Sequence, residues 1–252
     1  MNTQHLLNTA ITAAERACSQ IVEVYNSGDF QAELKGDNSP LTIADRRAHD
    51  VIVNVLEPTG LPVLSEEGKT IPYQERKDWE YFWLVDPLDG TKEFLKRNGE
   101  FTVNIALIYK DTPVLGVVAV PVTGDVYYAA DGEAYLKKEG NLERLPYRGR
   151  TNLQQLGLRV VASRSHMSPE TEEFVNQLKE PSIVSSGSSL KFMMLASGVA
   201  DVYPRFAPTM EWDTGASHAI VNAVGLKILQ QGRDEELVYN KENLLNPGFV
   251  VS

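Results

Sequence analysis

One stretch limits what this chain can fold into more than any other. Tyr81-Phe-Trp-Leu-Val85 is an apolar run of strand length, and it stops abruptly at Asp86-Pro87-Leu88-Asp89-Gly90-Thr91. A buried strand that delivers two aspartates to its own end creates an electrostatic problem, because like charges held close disfavour joint ionisation. A divalent metal is the simplest relief. Gly90-Thr91 reads as the opening of a helix, whose first N–H groups would suit an anion such as a phosphate. Carboxylates, metal and anion seat together point to metal-assisted phosphate chemistry. Asp-Pro and Asp-Gly are also ordinary turn dipeptides, so a plain surface turn stays open on these residues alone. Two other motifs do not fit. An EF-hand loop wants oxygen ligands at alternate positions, and an aspartyl phosphatase of the Asp-x-Asp-Gly-Thr type needs aspartate where Pro87 stands.

The rest of the chain supplies a frame for that motif. Leu6, Leu7, Ala10, Ile11, Ala14, Ala17, Cys18, Ile21, Val22 and Tyr25 recur at helical spacing, which predicts a long amphipathic helix over 3–27 that ends before Gly28. Thr42 reads as an N-cap with Asp45 three residues on, and Ala48 to Leu56 carry a second helix to Pro58. Leu61 to Ser65 is a short strand that runs into Glu66-Glu67-Gly68. Phe101–Tyr109, Pro113–Val122, Val126–Ala130 and Gly132–Lys138 are β-rich runs between turn residues, an antiparallel meander. The composition turns polar around Arg148-Gly-Arg-Thr-Asn152, which divides the chain into residues 1–150, an α+β part, and 151–252. Beyond it, strands at 158–162, 182–184, 201–203 and 226–229 alternate with helices at 168–179, 189–198 and 214–224. The whole reads as an α/β fold.

Two further strand ends carry acids. Glu66-Glu67 would be a solvated loop by itself, and gains weight as a second place where a strand delivers carboxylates. Glu211-Trp212-Asp213-Thr214-Gly215-Ala216 repeats the theme of an acid beside an aromatic before a helix, although Asp213 also reads as a simple N-cap. Asp45 has the competing role of partner to Thr42, which would leave it exposed. Ser185 to Lys191 joins a strand to a helix, and Lys191 one turn in would suit a second phosphate. Arg205 lies between aromatics, while Arg164 and His166 sit in a polar loop. There is no Cys/His cluster of zinc spacing, no P-loop and no Gly-x-Ser-x-Gly elbow.

Composition removes other classes. A net charge of −10 argues against a nucleic-acid-binding surface, and an acidic protein that binds a polyanion must reverse its field locally, as bound cations do. The single cysteine, Cys18, allows no intrachain disulfide and suits a reducing cytoplasm. The first residues show no secretory signal, and no apolar run approaches the ~20 residues of a membrane span.

Trp83-Leu-Val-Asp-Pro-Leu-Asp-Gly-Thr-Lys-Glu-Phe94 together with Trp212-Asp-Thr-Gly-Ala216 resembles the two signatures of the inositol monophosphatase superfamily, magnesium-dependent and lithium-sensitive phosphatases. Asp37-Asn-Ser-Pro40, Leu64-Ser-Glu-Glu67, Gly187 to Phe192, Tyr203-Pro-Arg-Phe206 and Leu245-Asn-Pro-Gly-Phe249 look more narrowly like its CysQ-type 3′(2′),5′-bisphosphate nucleotidases. The resemblance implies a layered α/β/α/β/α sandwich. It implies magnesium, two or three ions, on Glu66, Asp86, Asp89, Asp213 and the Leu88 carbonyl, with lithium or calcium inhibitory. Asp45 would assist through a water, Thr91 would orient the nucleophilic water, and Gly90 and Thr91 would hold the scissile phosphate. Ser188, Lys191, Arg205 and His166 match nucleotide-contacting positions. The expected substrate is adenosine 3′,5′-bisphosphate, with its sulfated analogue second and inositol or sugar phosphates as the alternative. A phosphometabolite-binding regulator without catalysis is disfavoured by the intact acidic set. A monomer or homodimer is expected, cytoplasmic or peripheral at the inner membrane. Gly215 departs from the alanine usual in the superfamily, a change of one methyl that a helix start should tolerate.

Overall fold

The computed structural model describes residues 2–34, 40–162 and 167–252. Helix α1 (Thr3–Ser27) opens on an Asn2 cap and closes at Gly28, whose φ of 74° is the left-handed conformation that ends helices. Short strands β1 (Glu33–Leu34) and β2 (Pro40–Leu41) lead to α2 (Ile43–Leu56). Then come β3 (Val63–Ser65), α3 (Tyr73–Arg76), β4 (Tyr81–Asp89) and α4 (Thr91–Lys96). The meander follows as β5 (Thr102–Tyr109), β6 (Thr112–Ala119), β7 (Val126–Ala130), β8 (Glu133–Lys138) and β9 (Asn141–Arg144). The C-terminal part holds β10 (Arg159–Val161), α5 (Pro169–Asn176), β11 (Ser182–Val184) and α6 (Leu190–Ala196). It ends with β12 (Tyr203–Arg205), α7 (Glu211–Ala223), β13 (Ile228–Gln230) and β14 (Phe249–Val251).

Strands β3 to β9 form one seven-stranded sheet in sequence order, antiparallel except for the parallel β3–β4 pair. The central strands are apolar at consecutive positions because both faces are covered. Trp83, Val85, Val103, Ile105, Leu107 and Val117 point into a core with α1 and α2. Phe82, Leu84, Ala106, Ile108 and Val118 point the other way, into a core with α6 and α7. Beyond α7 lies a second sheet, where β12, β14 and β13 pair antiparallel, β10 and β11 pair parallel, and a Val160–Val202 bridge joins the two groups. Helix α5 packs on its outer side, with Phe174 against Phe206 at 6.0 Å. The layers therefore run α/β/α/β/α, as expected.

Several boundaries differ from the sequence reading, each for a physical reason. β4 does not end at Val85 but continues to Asp89, with a bulge between the Asp86–Asn104 and Asp89–Thr102 pairs. Pro87 has no N–H to give a ladder and falls inside that bulge, where proline is tolerated. Helix α7 begins at Glu211 rather than 214, so Asp213 is its third residue and not its cap. Strands β9 and β14 were not expected. β9 is exposed along its length and polar apart from Leu142, and β14 is a three-residue strand whose place depends on two distant partners.

Candidate metal centre and substrate pocket

The bulge in β4 sets the first part of the site. Asp86, 1% exposed, accepts the Leu88 N–H on its Oδ1 at 3.0 Å, a local turn that carries the chain on to Asp89. Gly90 follows with φ of 93°, and an added Cβ there would sit 3.2 Å from both the Glu100 carbonyl and the Ser188 side chain. The position therefore takes glycine on two counts, and α4 starts immediately after it.

Glu66 comes in from the neighbouring parallel strand, its N–H on the Val85 carbonyl at 3.0 Å. Asp213 comes from the first turn of α7, its Oδ2 accepting the Met210 N–H at 2.8 Å. Carboxylate oxygens of Glu66, Asp86 and Asp213 all lie within 4.8 Å of one another. Burial first, and then the charges of Glu66, Asp89 and Asp213, raise the Asp86 carboxyl well above the usual range. Burial and the neighbouring Asp89 likewise push Asp213 up to about 8. Oxygen donors crowded until they resist ionisation are suited to a hard divalent cation, which would remove that repulsion. The residues present thus fit a divalent metal of that kind.

Asp89, expected among the metal ligands, stands beside this group rather than within it, its charge bearing on Asp86 and Asp213. Its Oδ2 accepts Ser188 Oγ at 2.6 Å, Ser189 Oγ at 2.9 Å and the Asn104 amide at 3.4 Å. Behind them Asn104 Nδ2 donates to Ser189 Oγ at 3.0 Å and Thr102 Oγ1 to Asn104 Oδ1 at 2.9 Å. Thr102, Asn104 and Ser189 are all at most 1% exposed, so this network holds Asp89 in one orientation. Sequence reading missed these three residues. Their signal was present, since Thr102 and Asn104 are the polar interruptions of an otherwise apolar strand.

Asp45 resolves two competing readings into one. It closes a capping box, accepting Thr42 N at 2.7 Å and Thr42 Oγ1 at 2.6 Å on Oδ2. It is nevertheless 1% exposed, against the expectation that capping would leave it in water. Its Oδ1 faces Thr91 Oγ1 at 3.2 Å, and the same hydroxyl is 3.3 Å from the Leu88 carbonyl.

A pocket of about 230 Å³ adjoins the acidic group, and its wall includes Asp89, Gly90, Ser188, Lys191, Arg205 and Asp213. Six of the expected residues are thus brought to one place. The Ser188 hydroxyl is engaged by Asp89 and Thr102 and its backbone takes φ of 51°, a strained value for serine. Lys191 Nζ rests on the Ser188 carbonyl at 3.2 Å. Arg205 Nη2 lies 3.4 Å from the Pro208 carbonyl, while its Nε is buried with no partner among the described residues. His166 and Arg164 lie outside the described residues, as does the stretch Asp37 to Ser39. A larger hollow of about 620 Å³ between α1 and α2 has no acid in its wall.

Gly215 is explained by packing. A Cβ there would stand 2.9 Å from Leu84 Cδ2, so the leucine already fills the space a methyl would take.

Carboxylates gathered from two strands and a helix, beside a pocket that holds Lys191 and Arg205, suit phosphate chemistry, and the layered fold narrows the class. The chain belongs to the inositol monophosphatase family, whose sequence profile matches residues 2–248. It is 45% identical over 252 residues to the 3′(2′),5′-bisphosphate nucleotidase CysQ of Escherichia coli strain K12, covering 98% of this chain and 99% of that protein. The crystal structure of CysQ from Bacteroides thetaiotaomicron superposes with a TM-score of 0.88 at 47% identity, over 100% of this chain and 98% of the other. Inositol monophosphatase II from Staphylococcus aureus shares the fold at 21% identity, with a TM-score of 0.76 over 98% and 90% of the two chains.

Proposed function

We propose that this chain is a magnesium-dependent 3′(2′),5′-bisphosphate nucleotidase that hydrolyses adenosine 3′,5′-bisphosphate to AMP and phosphate. The sulfated analogue, 3′-phosphoadenosine 5′-phosphosulfate, is its second substrate, and removal of the nucleotide by-product of sulfate assimilation is its role. The observation that carries the reading is the side-by-side placement of the Glu66–Asp86–Asp213 group and the Lys191–Arg205 pocket. An acidic group alone suits any phosphomonoester. A lysine and an arginine in the adjoining pocket suit a substrate with a second phosphate. CysQ relatives over the full length support the same choice.

Glu66, Asp86, Asp89, Asp213 and the Leu88 carbonyl would hold magnesium, which when bound neutralises phosphate charge and makes a water a better nucleophile. The side chains do the rest. The Thr91 hydroxyl has one proton, and both of its near neighbours, Asp45 Oδ1 and the Leu88 carbonyl, are acceptors. Toward a third group it therefore acts as an acceptor, and a water that donates to it is held with a lone pair free to attack. Asp45 fixes that polarity. Gly90 and Thr91 seat the scissile phosphate, while Lys191, Arg205 and Ser188, with His166, take the remainder of the nucleotide. Phosphoryl transfer needs positioning and charge neutralisation more than covalent help, so no nucleophilic side chain is required.

The division into residues 1–150 and 151–252 belongs to the same proposal. It is supported by the seven-stranded sheet ending at Arg144 and the second sheet beginning at Arg159, with the acids drawn from both. Phosphate release from adenosine 3′,5′-bisphosphate and from inositol 1-phosphate, each with and without magnesium, tests the reading. The bisphosphate should be turned over only with metal, and release from the inositol ester alone would overturn the nucleotidase assignment.

A further inference from the structure

The start of α7 is joined to a later segment of the chain by an unusual amount of buried polarity. Glu211, its first residue, has no solvent exposure. Its Oε1 accepts Lys241 Nζ at 2.6 Å and Lys241 N at 3.0 Å, and its Oε2 accepts Asn240 N at 2.6 Å. Asn240 adopts a left-handed φ of 61° and reaches the other way. Its Oδ1 accepts Arg76 Nη1 at 2.7 Å, and its Nδ2 donates to the Arg76 carbonyl at 2.7 Å. Arg76 is itself 2% exposed and also donates to the carbonyls of Glu242 at 3.1 Å and Ile71 at 3.4 Å. On the other flank the Asn246 amide reaches Met210 O at 2.8 Å and Thr214 Oγ1 at 3.1 Å. Main-chain bonds Glu211 N to Leu244 O, 2.9 Å, and Asn246 N to Thr209 O, 2.8 Å, complete the seam.

Stability is a poor reason for such an arrangement. Taking a carboxylate and an ammonium out of water costs several kcal/mol per ion, and apolar residues of similar volume often serve a fold as well. Burial raises the Glu211 carboxyl, and Lys241 pulls it back, which is the signature of that cost. What directional bonds provide instead is geometry. Asp213 lies two residues beyond Glu211 with one oxygen committed to Met210 N, so its carboxylate goes where residues 209–211 go. Those residues are fixed by residues 240–246. Through Arg76 the same segment also holds the chain that leaves β3 after Glu66.

We propose that Glu211, with Lys241 and Asn240, is a positioning residue for the metal centre: it sets the distance of Asp213 from Glu66 and Asp86, and so the affinity for a divalent cation. The inference rests on the magnesium reading of that centre. A mere field effect predicts opposite signs for the two ions of the pair, because losing Glu211's negative charge would weaken cation binding while losing Lys241's positive charge would strengthen it. Positioning predicts that both losses weaken it.

The experiment measures magnesium binding directly, by titration calorimetry without substrate, on the wild type, Glu211→Gln, Lys241→Gln and Asp213→Asn. Circular-dichroism melts establish that each variant is folded at the titration temperature. Both Glu211→Gln and Lys241→Gln should bind magnesium about tenfold more weakly while folded, the range seen when groups behind a ligand are lost. Wild-type affinity in a folded Glu211→Gln would overturn the proposal, as would tighter binding by Lys241→Gln. Should Glu211→Gln fail to fold, Lys241→Gln decides alone, since its side chain is 25% exposed and glutamine keeps a donor. A wild type that binds no magnesium would instead refute the metal reading itself. A loss confined to Asp213→Asn would leave that reading intact and remove only the positioning role.

Discussion

Magnesium binding should release protons, because the folded chain keeps in protonated form carboxyls that the cation needs ionised. Asp213 is pushed up to about 8 by burial and by Asp89. At pH 7 such a group is mostly protonated, so its ionisation costs binding roughly a factor of ten in affinity. At pH 8.5 most of that cost is gone, so affinity should rise several-fold, up to about tenfold, between the two from this residue alone. Asp86, raised by burial and by Glu66, acts in the same direction. Calorimetry in buffers of different ionisation enthalpy would register release of about one proton per protein at pH 7. The linked stability has a definite sign. In the metal-free fold Asp213 retains its proton up to about pH 8, whereas in the unfolded chain it ionises near the ordinary value of 3.8. The unfolded state therefore binds fewer protons between those limits, and the metal-free protein should lose stability as pH rises from about 4 to 8. Added magnesium should raise the melting midpoint most at the alkaline end. Binding without proton release at pH 7, or a metal-free melting midpoint that climbs across this window, would refute the reasoning.

Three other outcomes follow from the same geometry. Asp89→Asn preserves the shape that Ser188 and Ser189 grip but removes the charge, and phosphate release should fall at least about a hundredfold, a loss of several kcal/mol of charge stabilisation. Combined Lys191→Met and Arg205→Gln should raise KM for the bisphosphate about tenfold or more while leaving KM for a simple monoester nearly unchanged, as measured by initial rates. Gly116→Ala puts a Cβ 2.1 Å from the Ala216 carbonyl where β6 meets α7, and urea unfolding should report a loss of about 3 kcal/mol.

The acids at strand ends were legible because their message is local. A strand of apolar residues that runs into Asp86 and Asp89 announces itself within a dozen positions, and Glu66 repeats the pattern after β3, whereas Asp213 arrives on the first turn of α7. The layered fold was legible through the resemblance those motifs carry, and the two long helices through their spacing. What sequence did not disclose depends on distant partners. Asn104 looks like an ordinary polar residue until Ser189, 85 positions away, is placed against it. Glu211 reads only as an acid beside an aromatic ahead of a helix, and only the fold brings Asn240 and Lys241 onto it. The early start of α7 has the same origin, since Asp213 accepts the Met210 N–H and so extends the helix backward past Trp212, which it was read to follow. Asp45 shows that competing local readings need not exclude each other, for one oxygen caps α2 while the other faces Thr91.

The measurement that goes most directly to the central claim is the identity of the nucleoside product formed from adenosine 3′,5′-bisphosphate with magnesium. If the acidic group takes the 3′-phosphate while Lys191 and Arg205 hold the 5′-phosphate, chromatography against standards will find 5′-AMP and one equivalent of phosphate. Formation of 3′-AMP, or an untouched bisphosphate beside a hydrolysed inositol ester, would contradict it.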